Sequence, residues 1–224
     1  MSLLVKVCGM TLPEQVAAID DMGADFLGFI FAAKSPRRVP PERVASIARG
    51  RARRVGVFVE QDADEVRRIM DVAGLDLAQL HGGQDEDFCR AVGPGRIIKV
   101  FWPQKYAAGQ ATTPAVQVDK PAPNGALEAL QRDMNRFADL CHLMLLDSGV
   151  CGGGHGQSLD FAALAGLVPP RPWLLAGGLS PDNAARAARE ARPAGLDLNS
   201  GVETAPGVKD LLQVDKTIRI LKSS

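Results

Sequence analysis

The sequence predicts an α/β fold: a single (β/α)8 TIM barrel with parallel strands. Three observations carry that expectation. Roughly eight short apolar runs alternate with helix-like segments. The runs are apolar on both faces, as strands of a parallel sheet covered by helices must be. Helix-start signals follow most of them. Eight such units over more than 200 residues fit a closed barrel. The rival architecture, a doubly wound open sheet, lacks its fingerprint, because "CGMTLP" after the first run is not GxGxxG.

The elements follow in order. "LLVKVC" is the first strand, and Thr11-Leu12-Pro13-Glu14 after it reads as a capping box. "DFLGFIF" leads into the basic stretch "KSPRR", and "RRVGVFV" into Asp62-Ala63-Asp64-Glu65, a second cap of the same logic. "LDLAQLH" and "RIIKVFW" are strands four and five. The stretch 103–124, rich in Pro, Ala and polar residues, breaks the rhythm as an insertion or long loop before a helix near Gly125–Ala138. "HLMLLD" ends at Asp147 and opens "SGVCGGGHG". "RPWLLAG" precedes Ser180-Pro181-Asp182, which supplies an N-cap, a proline at the first helical position and an acid at the positive helix end. Arg186 and Arg189 suit the far end of that helix. "AGLDLNS" is strand eight. The whole chain, 1–224, reads as one barrel domain.

Composition narrows the partners. Lys+Arg and Asp+Glu balance at 26 each, so no long-range attraction to nucleic acid or anionic membrane is expected. No apolar run reaches roughly 18 residues, and no leader pattern opens the chain, so a cytoplasmic protein is the expectation. The four cysteines, Cys8, Cys89, Cys141 and Cys151, form no CxxC and no metal-ligand spacing. Cys89 and Cys141 read as small buried hydrophobes. Cys8 and Cys151 sit beside glycines at strand or loop ends, where reactivity is open.

In a barrel the C-terminal strand ends share one mouth. Alternation puts Leu4, Lys6 and Cys8 on one face, Gln79 and His81 on another, and Asp197 and Asn199 on a third. An ammonium below Cys8 is expected to favour its thiolate. Glycine-rich loops after strands six, seven and eight leave backbone N–H groups uncovered, a phosphate cradle that needs no net positive charge. Taken singly, each candidate has a plain structural reading. Cys8 is then inert packing, Asp147 a turn cap, His81 a structural histidine, Lys6 an interior charge paired with an acid, and Arg37 and Arg38 a solvated pair.

Taken together, "KVCGMT", "GADFLGFIFAAKSPRRVPPE", "VGVFV", "AQLHG", "IIKV", "LLDSG…GGHGQSLDF", "AGGLSPDN" and "LDLNSGVETAPGVKD" resemble the phosphoribosylanthranilate isomerase family of tryptophan biosynthesis. The resemblance spans nearly the whole chain. It implies an Amadori rearrangement of N-(5-phosphoribosyl)anthranilate, with Cys8 as general base and Asp147 as general acid. It matches Arg37 to the anthranilate carboxylate, Asp197 to the substrate amine, and Gly154, Gly156, Gly177, Gly178, Ser200 and Gly201 to the phosphate. Gln79 and His81 are further candidates for substrate binding. The implied partner is a small phosphosugar, with no cofactor or metal. His155 stands where a small residue is expected, and 103–124 is longer than the family usually has. Two other classes stay open: another phosphosugar barrel enzyme, and a phosphate-ligand or redox sensor.

Overall fold

The structure, a computed structural model, describes residues 2–107, 125–148 and 161–223. All eight expected strands form: β1 (Leu4–Val7), β2 (Phe26–Ile30), β3 (Arg53–Phe58), β4 (Leu77–Leu80), β5 (Ile97–Phe101), β6 (Leu143–Asp147), β7 (Trp173–Ala176) and β8 (Gly195–Leu198). Each pairs in parallel with the next, and β8 pairs back onto β1 to close the barrel. Strand alternation then explains the two apolar faces. Phe26, Val55, Leu77, Ile98, Leu145 and Leu174 fill the interior. Val5, Phe29, Phe58, Leu80, Leu146 and Leu196 point outward into a second core beneath the helices. That burial is the main driving force for closure.

The helices are α1 (Pro13–Asp21), α2 (Pro41–Ala45), α3 (Ala63–Ala73), α4 (Glu86–Val92), α5 (Pro103–Ala107), α6 (Gly125–Arg136), α7 (Ala184–Ala191) and α8 (Leu211–Lys222). The Asp62 cap forms as expected, its carboxylate accepting from Glu65 N–H at 2.8 Å. The Thr11 capping box does not. Leu12 is the N-cap residue of α1 and makes no side-chain cap bond. The Thr11 hydroxyl instead donates to Gly207 O at 2.5 Å, drawn to a carbonyl of a distant loop. Helix α7 also starts later than expected. Ser180–Asp182 form a turn, and Asn183 occupies the cap position with its side chain tied back to Ser180 N–H and Gly178 O. Arg186 consequently falls in the first half of α7, over the Phe161 ring at 5.2 Å, and only Arg189 lies in the last turn.

Two further differences matter for the site. Between β6 and β7 the described residues carry a 3-10 helix, Phe161–Gly166, rather than an α-helix. After β8 a small antiparallel hairpin, β9 (Glu203–Ala205) and β10 (Val208–Lys209), turns at Pro206-Gly207, with Gly207 at φ +82°. A Pro-Gly pair with positive φ at the glycine is a turn signal readable in "ETAPGVK". The expected insertion begins with the short α5, and its remainder, 108–124, lies outside the described residues.

Asp62→Ala is expected to lower the unfolding free energy by about 1 kcal/mol through loss of the α3 cap, read as a shift of the urea midpoint at constant slope.

Candidate active site

The C-terminal ends of the strands surround a cavity of about 340 Å3 whose lining includes Cys8, Gln79, His81, Asp147, Asp197 and Ser200. A larger hollow of about 650 Å3 lies at the other end of the barrel, against Leu4, Phe26, Arg53 and His142. Its polar groups satisfy one another. Asp20 accepts from Arg51 and Ala52 N–H, Asp25 from Val5 N–H and Lys222, and Arg53 meets His142 at 2.9 Å. The mouth differs. Gln79 Oε1 and Asp197 Oδ1 are buried there with no hydrogen-bond partner among the described residues. Unmet buried acceptors are costly unless a ligand supplies donors, so the smaller cavity is the chemical one.

Cys8 stands just past β1, its N–H donating to Leu198 O at 2.8 Å. Gly28 on β2 makes room for the sulfur, since a Cβ there would lie 2.7 Å from Cys8 Sγ. Below it, Lys6 and Asp197 face each other across the β1–β8 seam and pair at 2.7 Å, as the structural reading of Lys6 expects. Burial is the largest influence on both groups: it pushes the Asp197 carboxyl above its ordinary value despite Lys6, whereas Asp197 and Cys8 together outweigh burial at Lys6, which ends above its own. The expected thiolate is not favoured. Burial pushes the Cys8 thiol up, Asp197 adds to the effect, and Lys6 and Lys209 offset only part of it.

Asp147 closes β6, separated from β1 by β7 and β8. His81 Nε2 lies 3.3 Å from its Oδ2, and Gln79 Nε2 lies 3.1 Å from His81 Nδ1. With the Gln79 amide donating, Nδ1 is the acceptor and the His81 proton sits on Nε2, directed at Asp147. Trp102 meets the imidazole edge-on at 5.2 Å. His81 and Gln79 are therefore part of the mouth rather than packing.

Arg37, on the loop after β2, is engaged: its Nε and Nη2 fork onto Glu203 at 2.9 and 2.6 Å. Sequence reasoning passed over Glu203, and over Lys209 behind it, because both come from the unforeseen hairpin. Gly177 and Gly178 line the cavity beside Ser200, with φ of +110° and +60°, a backbone conformation that favours glycine. Gly201 has a packing reason of its own, because a Cβ there would run into Leu179 O. Gly154, Gly156, Cys151 and His155 lie outside the described residues. Cys89 and Cys141 are buried thiols pushed up by burial to about 11 and about 12, in keeping with inert packing. Among the described residues no group of three or more His, Cys, Asp or Glu side chains is placed to hold a metal ion, and no helix is long and apolar enough to cross a membrane.

A closed parallel barrel that gathers a thiol, a carboxyl and unmet acceptors at its C-terminal mouth defines a TIM-barrel enzyme. The family profile described as N-(5'phosphoribosyl)anthranilate (PRA) isomerase matches residues 5–122 and 124–219. The chain belongs to this family of isomerases. A relative from Maridesulfovibrio salexigens, named N-(5'-phosphoribosyl)anthranilate isomerase, is 47% identical over 210 residues, 94% of each chain. The solved phosphoribosyl anthranilate isomerase of Thermotoga maritima is 28% identical with a TM-score of 0.79, covering 99% of this chain and 100% of its own. Another solved phosphoribosyl anthranilate isomerase, 26% identical with a TM-score of 0.76 over 99% and 100% of the two chains, is a complex with reduced 1-(o-carboxyphenylamino)-1-deoxyribulose 5-phosphate.

A thiol raised by burial holds less thiolate than an ordinary cysteine at the same pH. Iodoacetamide labelling of Cys8, followed by mass spectrometry, is expected to be slow at neutral pH and to keep rising beyond pH 9. A plateau below pH 8 would show that Lys6 outweighs burial.

Proposed function

We propose that the chain catalyses the Amadori rearrangement of N-(5-phosphoribosyl)anthranilate to 1-(2-carboxyphenylamino)-1-deoxyribulose 5-phosphate in tryptophan biosynthesis. The observation that carries this reading is that Cys8 and Asp147, from strands set well apart round the barrel, line one cavity. The ligand of the solved family complex has the matching parts: a phosphate, an arylamino sugar chain (here reduced) and an aryl carboxylate.

The reaction needs an acid and a base at different atoms. Asp147 gives a proton to the furanose oxygen as the C1–O bond breaks, and the anilino nitrogen lone pair forms the C1=N bond. The iminium acidifies the C2 proton, which the Cys8 thiolate removes to leave an enolamine. Tautomerisation returns a proton to C1 and produces the C2 ketone. Burial disfavours the Cys8 thiolate, but the iminium places a cation beside the sulfur, so the thiol gives its proton to solvent water and the base is favoured at the step that uses it. His81, donating from Nε2, orients the acid. Asp197 Oδ1 is suited to the substrate N–H and Gln79 Oε1 to a sugar hydroxyl, the donors these buried acceptors lack. Arg37 holds the carboxylate through a charge-assisted bond. The glycine amides of 154, 156, 177, 178 and 201, with Ser200, receive the phosphate, whose binding energy holds C2 against Cys8. The scheme uses no metal or organic cofactor.

Turnover is followed by the loss of substrate anthranilate fluorescence. Cys8→Ser and Asp147→Asn are each expected to lower kcat by about 100- to 10,000-fold with little change in KM. A near-normal rate in either variant removes that residue from the scheme. Arg37→Ala is expected to raise KM by about 10- to 100-fold, the worth of a charged hydrogen bond, while an unchanged KM moves the carboxylate elsewhere.

A further inference from the structure

We infer that Glu203, braced by Lys209, is a positioning residue that aims Arg37 and thereby sets the preference of the mouth for an aryl carboxylate. This rests on the reading of Arg37 as the carboxylate anchor.

An arginine on a loop samples many rotamers, and a ligand that must order it loses affinity accordingly. Here the ordering is done in advance. Glu203 takes the Nε–Nη2 edge of Arg37 at 2.9 and 2.6 Å, with a further contact from Nε at 3.1 Å. Nη1 and the outer hydrogen of Nη2 are the donors left for a second carboxylate. Glu203 is itself held. Its side chain is 4% exposed, and Oε1 accepts from Lys209 Nζ at 2.7 Å and from Gly207 N–H at 3.1 Å. The Lys209 ammonium, fully buried, also donates to Asn199 Oδ1 at 3.0 Å. Its backbone is locked to α1 by two bonds with the Gln15 side chain, each 2.8 Å. The hairpin is thus fastened at both ends of the Lys209 residue.

Gly9 supplies the floor. Its φ is +75°, and a Cβ there would lie 2.7 Å from Arg37 Cδ and 2.8 Å from Asn199 Oδ1. The arginine stem therefore lies across the backbone next to Cys8, which sets the anchor beside the sulfur. Charge points the same way. The charged side chains acting on Glu203 are Arg37 and Lys209, so the cluster holds two cations to one anion. One ligand carboxylate completes it.

The test compares kcat/KM for N-(5-phosphoribosyl)anthranilate with that for the same phosphoribosylamine built on aniline, which lacks the carboxylate. The wild-type ratio should strongly favour the first. In Glu203→Gln the ratio is expected to narrow by about 10-fold or more, chiefly through KM, because the anchor loses its aim. A pure charge effect has the opposite sign, since removing an anion beside Arg37 draws the substrate carboxylate in and widens the ratio. A widened or unchanged ratio overturns the inference. Glu203→Asp keeps the charge but draws the carboxylate back by one methylene, and its ratio should fall between the two. If Glu203→Gln does not fold, a wild-type ratio in Glu203→Asp is the overturning result. Arg37→Ala separates the two levels. A ratio that survives it defeats the anchor reading, whereas a ratio lost in Arg37→Ala but kept in both Glu203 variants defeats this inference alone.

Discussion

One buried ion pair holds the first barrel strand to the last. Lys6 and Asp197 are 191 residues apart in sequence, sit opposite each other across the closing seam, and meet at 2.7 Å. Removing one partner of such a pair typically costs about 3–5 kcal/mol, a large share of the roughly 5–15 kcal/mol that holds a domain together. Its second effect is on register. A slip of one residue along the seam turns every side chain of β1 to the other face, taking Lys6 out of the interior and Cys8 out of the mouth. The direction of the sulfur and the unmet oxygen of Asp197 both depend on this pairing.

The charge of the mouth is finer than its neutral composition suggests. Lys6 is matched by Asp197, while Arg37 and Lys209 share Glu203. The first cluster is balanced and lies below the sulfur, and the second carries the surplus and lies beside it. An overall charge of zero is thus compatible with a mouth built for an anion. In the proposed reading, side chains hold the carboxylate end and peptide N–H groups the phosphate end, so two kinds of donor fix the direction in which the ligand lies.

The barrel was legible because its signals are local. Apolar runs such as "RRVGVFV" and "RIIKVFW" fall on β3 and β5 because strands buried on both faces leave no polar alternation to misread. Asp62 was legible as a cap because its partner, Glu65 N–H, is three residues away. Thr11 was not, because its hydroxyl reaches Gly207, 196 residues away. The same limit hid Glu203 and Lys209. Their role comes from Arg37, 166 residues distant from Glu203, and no spacing rule joins them. Cys8 shows a different limit. The nearby ammonium was readable from strand alternation, but the depth of burial that outweighs it is a property of the closed barrel. The family resemblance singled out Cys8, Asp147 and Arg37 as candidates, yet it carried no account of what steadies them.

Closure through β8 also orders events in time. Cys8 leaves the ribosome early, but the acid below it and the brace on Arg37 come from Asp197, Glu203 and Lys209, about 200 residues later. At roughly 5–20 residues per second, the thiol waits on the order of ten to forty seconds in an unfinished sheet. The acid below the sulfur and the brace on Arg37 are complete only once the last strand and its hairpin are in place, so a nascent chain carries the Cys8 thiol long before it carries the groups that set its acidity.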